Sequence, residues 1–138
     1  MEKTFSNPES LPTWKDFFTN IVTVEENNVK TIYLAGQVGV DHSKNFVGNG
    51  DLESQTQQSF KNVSTALATV GATVADITKI TIYVVNYKPD DAAVIGKVIG
   101  EYFPNQKPAC SLIGVQALAE ERFLIEVEVI AVVESNHD

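Results

Sequence analysis

The sequence predicts an α+β fold: a single mixed β-sheet with two helices on one face. Three observations carry this. Apolar runs that alternate or run on for strand lengths mark five strands, at residues 21–24, 31–38, 79–85, 110–117 and 124–133. Two intervening segments repeat apolar residues at helical spacing. The order is therefore β-β-α-β-α-β-β, and two helices can cover only one side of such a sheet.

Residues 1–19 are rich in Ser, Pro, Asn and Thr with scattered aromatics, and read as an irregular N-terminal arm ending near Phe17 and Phe18. The first two strands flank the polar hairpin loop Glu25-Glu26-Asn27-Asn28. In the second of them Ile32 and Leu34 point to one side, and Tyr33, Ala35 and Gln37 to the other. After a loop rich in Gly and Asn at 45–50, Asp51 can cap a helix that carries Leu52, Phe60, Val63, Leu67 and Val70 on one stripe and stops at Gly71. The third strand turns Ile80, Ile82 and Val84 inward and Lys79, Thr81 and Tyr83 outward. Pro89 and Asp90 open a second helix, which buries Ile95, Val98, Ile99 and Tyr102 before Pro104 stops it.

Pro108 leads into the fourth strand, where Cys110, Leu112, Gly114 and Gln116 share one parity and Ser111, Ile113 and Val115 the other. In the last strand Ile125, Val127, Val129, Ala131 and Val133 form a wholly apolar face. Its opposite face sets Glu126 and Glu128 among Leu124, Ile130 and Val132, a mixture that suits an interface or a pocket. Residues 134–138 read as a flexible tail, and residues 1–138 as one domain.

A chain of 138 residues, 43% hydrophobic, is long enough for one substantial core. It has no apolar run of bilayer-spanning length and no basic-then-apolar start, so a soluble cytoplasmic protein without a membrane partner is expected. The single cysteine excludes an internal disulfide framework. A net charge of −8, spread along the chain, works against binding nucleic acid. Asp41, His42 and Asp51 match no metal-ligand spacing, and Gly48-Asn49-Gly50 lacks the Lys-Ser/Thr of a phosphate loop, so neither metal nor cofactor is expected.

The side of the sheet without helices collects Tyr33, Ala35, Gln37, Thr81, Tyr83, Cys110, Leu112, Gly114 and Glu126. That set is too apolar to expose and too polar for a core, so self-association around it, with a small-molecule pocket at the junction, is the economical solution. Glu126 then has two readings: an acid or base that positions water, or an interface carboxylate bonded to a neighbouring subunit. Glu128 reads as structural. Gly36 either lets a ligand approach the backbone or relieves crowding between subunits. Cys110 has no histidine at useful spacing and reads as a pocket wall that touches ligand rather than a nucleophile.

Ala35-Gly36-Gln37, Gln55-x-x-Gln58-x-x-x-Asn62, the stretch from Gly71 to Tyr83 with Asp76-Ile77-Thr78-Lys79, Pro108-Ala109-Cys110-Ser111 and Ile125-Glu126-Val127-Glu128-x-Ile130-Ala131 together resemble the reactive-intermediate deaminase family (RidA, YjgF-like). The similarity runs from about Phe18 to Val132. The resemblance implies a chorismate-mutase-like fold, a homotrimer with three inter-subunit clefts, and cofactor-free hydrolysis of small imines and enamines to 2-oxo acids and ammonia. It matches Glu126 to the catalytic glutamate that helps position water, and Gly36 to the residue whose backbone amide meets the substrate. Phe18 stands where a ligand-facing tyrosine is common, and Gly96 where deaminating members carry an asparagine. Cys110 replaces the arginine that clamps the substrate carboxylate.

The expected substrate-binding set is Phe18, Gly36, Cys110 and Leu112, with Glu126 catalytic. The loss of the arginine implies an altered substrate preference. The alternative is a trimer that binds a small metabolite without chemistry. Arg122, the only arginine, falls at an expected turn before the last strand and stands outside this set.

Overall fold

The computed structural model describes residues 1–135, and their backbone pairing joins six strands into one sheet. In chain order these are β1 (Glu2–Ser6), β2 (Ile21–Glu26), β3 (Val29–Val38), β4 (Ile77–Val85), β5 (Ala109–Val115) and β6 (Ile125–Glu134). Helix α1 (Leu52–Thr69) lies between β3 and β4, and α2 (Pro89–Tyr102) between β4 and β5. The spatial order is β1-β2-β3-β6-β4-β5. Only β4 and β5 run parallel, as their helical crossover requires, so the sheet is mixed. The α+β fold with two helices and one mixed sheet is thus the observed one.

Local chemistry sets the boundaries. Asn27 and Asn28 both hold positive φ, 53° and 64°, the conformation of a two-residue hairpin turn matched to strand twist. Asp51 caps α1 by accepting from Ser54 N–H at 3.3 Å. At the other end Gly71, at φ 79°, lets Ala72 N–H reach Leu67 O at 2.9 Å, a Schellman closure. Pro89 begins α2 where its missing N–H costs nothing.

Phe60, Val63 and Leu67 of α1 and Ile95 and Val98 of α2 bury themselves against Ile32, Leu34, Ile80, Ile82, Ile125, Val127 and Val129. Phe60 is wholly buried and stacks on Tyr102 at 5.1 Å. Among the described residues the opposite side of the sheet has no such cover. There Tyr33, Ile113 and Val132 remain 45%, 42% and 38% exposed. Among the described residues no helix is long and apolar enough to cross a membrane.

Four expectations are corrected. Residues 2–6 of the supposedly irregular arm form β1, which pairs antiparallel with β2 along the sheet edge. Its side chains are almost all exposed, so backbone hydrogen bonds hold it and no apolar rhythm announces it. Gln37 is buried on the helix side, because a bulge between Leu34 and Gln37 shifts the alternation by one residue.

Cys110, Leu112 and Gly114 also change sides. Their parallel partners on β4 are Ile80, Ile82 and Val84, which face the helices, so they project from that side of the sheet. Parity along β5 was readable, but which parity faces the helices depends on a register established only by pairing. Finally, Glu134 belongs to β6 and Ser135 is buried, with its N–H bonded to Asn28 O at 2.8 Å. The rest of the expected tail, 136–138, lies outside the described residues.

Candidate functional site

The bulge in β3 is the centre of the site. It brings the backbone at Gly36 so close to β6 that a Cβ on Gly36 would fall 2.4 Å from Glu126 Cδ and 2.6 Å from its Oε2. Only glycine leaves room for that carboxylate. Glu126 and Gly36 line a cavity of about 770 Å³ that also takes in Phe18. Three of the expected site residues therefore meet in one place within one chain.

Glu126 is half-buried, and its carboxyl pKa is raised, first by burial and then by the negative charge of Glu128. Glu128 is held apart by the Tyr83 hydroxyl, which donates to its Oε1 at 2.7 Å. That bond, followed by burial, raises the pKa of Tyr83 and keeps it a donor. One carboxylate of the pair is thus tied down while its neighbour faces the cavity.

The cavity wall is built by loops pinned to α1. Gln55, wholly buried, donates from Nε2 to Arg122 O at 3.0 Å and accepts the Leu124 N–H at 2.9 Å. Two turns further on, Asn62 donates from Nδ2 to Val38 O at 3.1 Å and Val40 O at 2.9 Å. Gln58 orients Asn62 by donating to its Oδ1 at 2.9 Å. The motif Gln55-x-x-Gln58-x-x-x-Asn62 therefore supplies two buried amides, Gln55 and Asn62, that join the helix to the segments framing Glu126, with the half-buried Gln58 steadying the second.

The rest of the wall is aromatic and cationic, and sequence reasoning missed most of it. Trp14 stacks on Phe18 with ring centres 6.0 Å apart, and Phe46 tilts against Phe123 at 5.5 Å. Arg122 lays its guanidinium 4.0 Å above the Phe46 ring and donates from Nε to Glu120 at 2.9 Å. Lys44 sits 5.1 Å from the centre of the Trp14 ring. The available signal was compositional: Trp14, Phe17 and Phe18 clustered in a polar arm, and a lone arginine four residues before Glu126.

Cys110 and Leu112 do not join this cavity within the protomer. They lie on β5, separated from β6 by β4, and project from the other side of the sheet. Both are exposed, Leu112 by 40%. Partial desolvation by its neighbours pushes the Cys110 thiol pKa up, with Lys79 opposing, so the thiol stays protonated near neutrality. Gly96 is exposed on α2, with no atom within 4 Å of a Cβ built on it.

Comparison with known proteins gives this geometry a lineage. The family model described as endoribonuclease L-PSP matches residues 18–133. A 2-iminobutanoate/2-iminopropanoate deaminase of Dermatophagoides farinae is 33% identical over 104 residues, covering 75% of this chain and 79% of the relative. A RutC family protein of Pyrococcus abyssi is 34% identical, covering 72% and 76%. Among solved structures, YyfA of the conserved Rid protein family from Yersinia pestis superposes with a TM-score of 0.82 at 28% identity, covering 96% of this chain and 100% of that one. The chain belongs to the endoribonuclease L-PSP family, that of the RidA and YjgF-like proteins.

Proposed function

We propose that this protein is a cofactor-free hydrolase of small imines or enamines, releasing ammonia and a carbonyl product. The observation that carries the reading is the half-buried Glu126, with its raised pKa, fitted against the backbone of Gly36 in the wall of a cavity. A carboxyl group lifted toward neutrality can both take and return a proton. In the forward step Glu126 accepts a proton from water as the oxygen bonds to the imine carbon. The C=N π pair moves to nitrogen, which takes up that proton from Glu126. The carbinolamine then collapses: the Glu126 carboxylate takes the hydroxyl proton and passes it to the nitrogen as the C–N bond breaks, the freed O–H pair forms the C=O bond, and ammonia leaves. The Gly36 amide would offer a preorganised donor to the charge that develops.

The deaminase name of the Dermatophagoides farinae relative supports this choice of reaction. Ribonuclease chemistry is disfavoured for this chain, because a net charge of −8 repels a phosphate backbone and the described cavity presents only Lys44 and Arg122 as cations. The test is ammonia release from freshly generated imino acids. Hydrolysis is expected, with 2-aminoacrylate-derived imine turned over far more slowly than by relatives that carry an arginine at the Cys110 position. No acceleration of ammonia release from any imino acid above the buffer rate would refute the hydrolase.

We also propose that the working form is a homotrimer whose cleft is completed by a neighbouring copy. The exposed Tyr33, Ile113 and Val132 supply an unpaired apolar surface, and the exposed Cys110 and Leu112 of β5 can enter the cleft of another protomer though not of their own. Light scattering is expected to return three times the 15.1 kDa chain mass. A monomer at micromolar concentration would exclude the arrangement.

A further inference from the structure

The resemblance sets Cys110, an uncharged thiol, at the position expected to clamp the substrate carboxylate, yet the cavity is not without a cation. We propose that Arg122 is the anion anchor of this cavity, and that the ligand it selects is a carboxylate bearing an aromatic or similarly flat apolar group. The inference rests on the hydrolase reading and narrows its substrate class to imino acids with bulky apolar side chains.

Three features of the wall point this way. First, Arg122 is the only arginine of the chain and lines the same cavity as Glu126. Its Nε is fastened to Glu120 at 2.9 Å and one face rests on Phe46 at 4.0 Å, so the guanidinium is held in place at two points. Its terminal nitrogens make no hydrogen bond within the described residues, which leaves a planar donor edge suited to a carboxylate. Glu120 takes part of the positive charge but occupies only Nε, and Lys44 restores a second cation to the rim.

Second, Gln55 holds the Arg122 carbonyl and Leu124 N–H directly, so the residue stands on a pinned segment and not on a loose loop. Third, the rings of Trp14, Phe18, Phe46 and Phe123 dominate the space beside it, and at about 770 Å³ that space far exceeds a three-carbon acid. An aromatic side group can pack against these rings and remove roughly 150–250 Å² from water.

Trp14 is the sole tryptophan and lines the cavity, so its fluorescence reports occupancy without any turnover. The probes are 3-phenylpropanoate, its uncharged amide and propanoate, which delete the charge and the ring one at a time. The acid is expected to bind saturably, and the amide and propanoate at least about tenfold more weakly, the scale of one charge-assisted pair. Arg122→Met should weaken the acid about tenfold and leave the amide unchanged, while Arg122→Lys should fall between.

Equal affinity of parent and Arg122→Met for the acid would overturn the anchor, as would equal affinity of the parent for acid and amide, or no saturable binding of the acid. Both variants alter an exposed side chain, and a melting curve for each confirms that the fold is retained. Ammonia release measured in parallel keeps the two proposals separable. Arg122-dependent binding without turnover upholds the anchor and removes the hydrolase; turnover of aromatic imino acids indifferent to Arg122 does the reverse.

Discussion

Glu126→Gln is expected to lower the turnover of imino acids by about 10²–10⁴-fold, the usual contribution of a positioned acid or base, while the protein becomes more stable. The sign follows from the raised carboxyl pKa. Below the ordinary glutamate value of 4.5 the native and unfolded chains are both protonated and no penalty exists. As pH rises through 4.5, the unfolded chain ionises first while burial and Glu128 keep the native carboxyl protonated, so native stability falls until the raised native pKa is passed. Glutamine cannot ionise and escapes that loss. The variant should therefore melt at a higher temperature than the parent at pH 8, and the two curves should draw together in acid. Activity of the parent should also require deprotonation at a pH above the ordinary carboxylate range. Parent-like turnover in the variant would remove Glu126 from the chemistry.

Gly36→Ala should cost both stability and turnover. The added methyl group meets Cγ, Cδ and Oε2 of Glu126 at 2.4–2.6 Å, which no structure tolerates. Those atoms belong to a side chain that can swing toward the open cavity, so the clash is relieved by expelling the carboxylate from its seat. A stability loss of about 1–3 kcal/mol is expected, as for other overpacked sites. Turnover should fall at least as far as in Glu126→Gln, because both the carboxylate and the backbone approach are lost together. A variant that hydrolyses imino acids at the parent rate would show that this contact has no part in the reaction.

Much of the architecture was legible because burial writes itself into spacing. The inward rows Ile80, Ile82, Val84 and Ile125, Val127, Val129 are all buried as their alternation requires, and the stripe of α1 reappears as Phe60, Val63 and Leu67 in the core. What escaped has a common cause. β1 is held by backbone bonds that no side-chain pattern encodes, and the side taken by Cys110 and Leu112 depends on pairing with a strand some thirty residues away. Gln37 was misplaced because alternation assumes an unbroken strand, and a bulge leaves only a glycine as its mark.

The site divides along the same line. Glu126, Gly36 and Phe18 converge as expected, whereas Trp14, Lys44, Phe46 and Arg122 come from loops whose meeting is a tertiary event. Gln55 and Asn62 stood out as spaced polar residues on a helix. Their service as carbonyl clamps became apparent only once the loops they hold were in place.

The extra residue in β3 acts as a phase shifter within one strand. Ahead of it Leu34 faces the core; beyond it Gln37 takes up that side and Val38 moves to the cavity. One continuous strand thereby supplies the interior with one half of its length and the chamber with the other. Excising either Ala35 or Gly36 would leave one residue between Leu34 and Gln37, so Gln37 would stay inward and Val38 outward by simple alternation, and the chamber would lose only the bulged backbone against which Glu126 is seated.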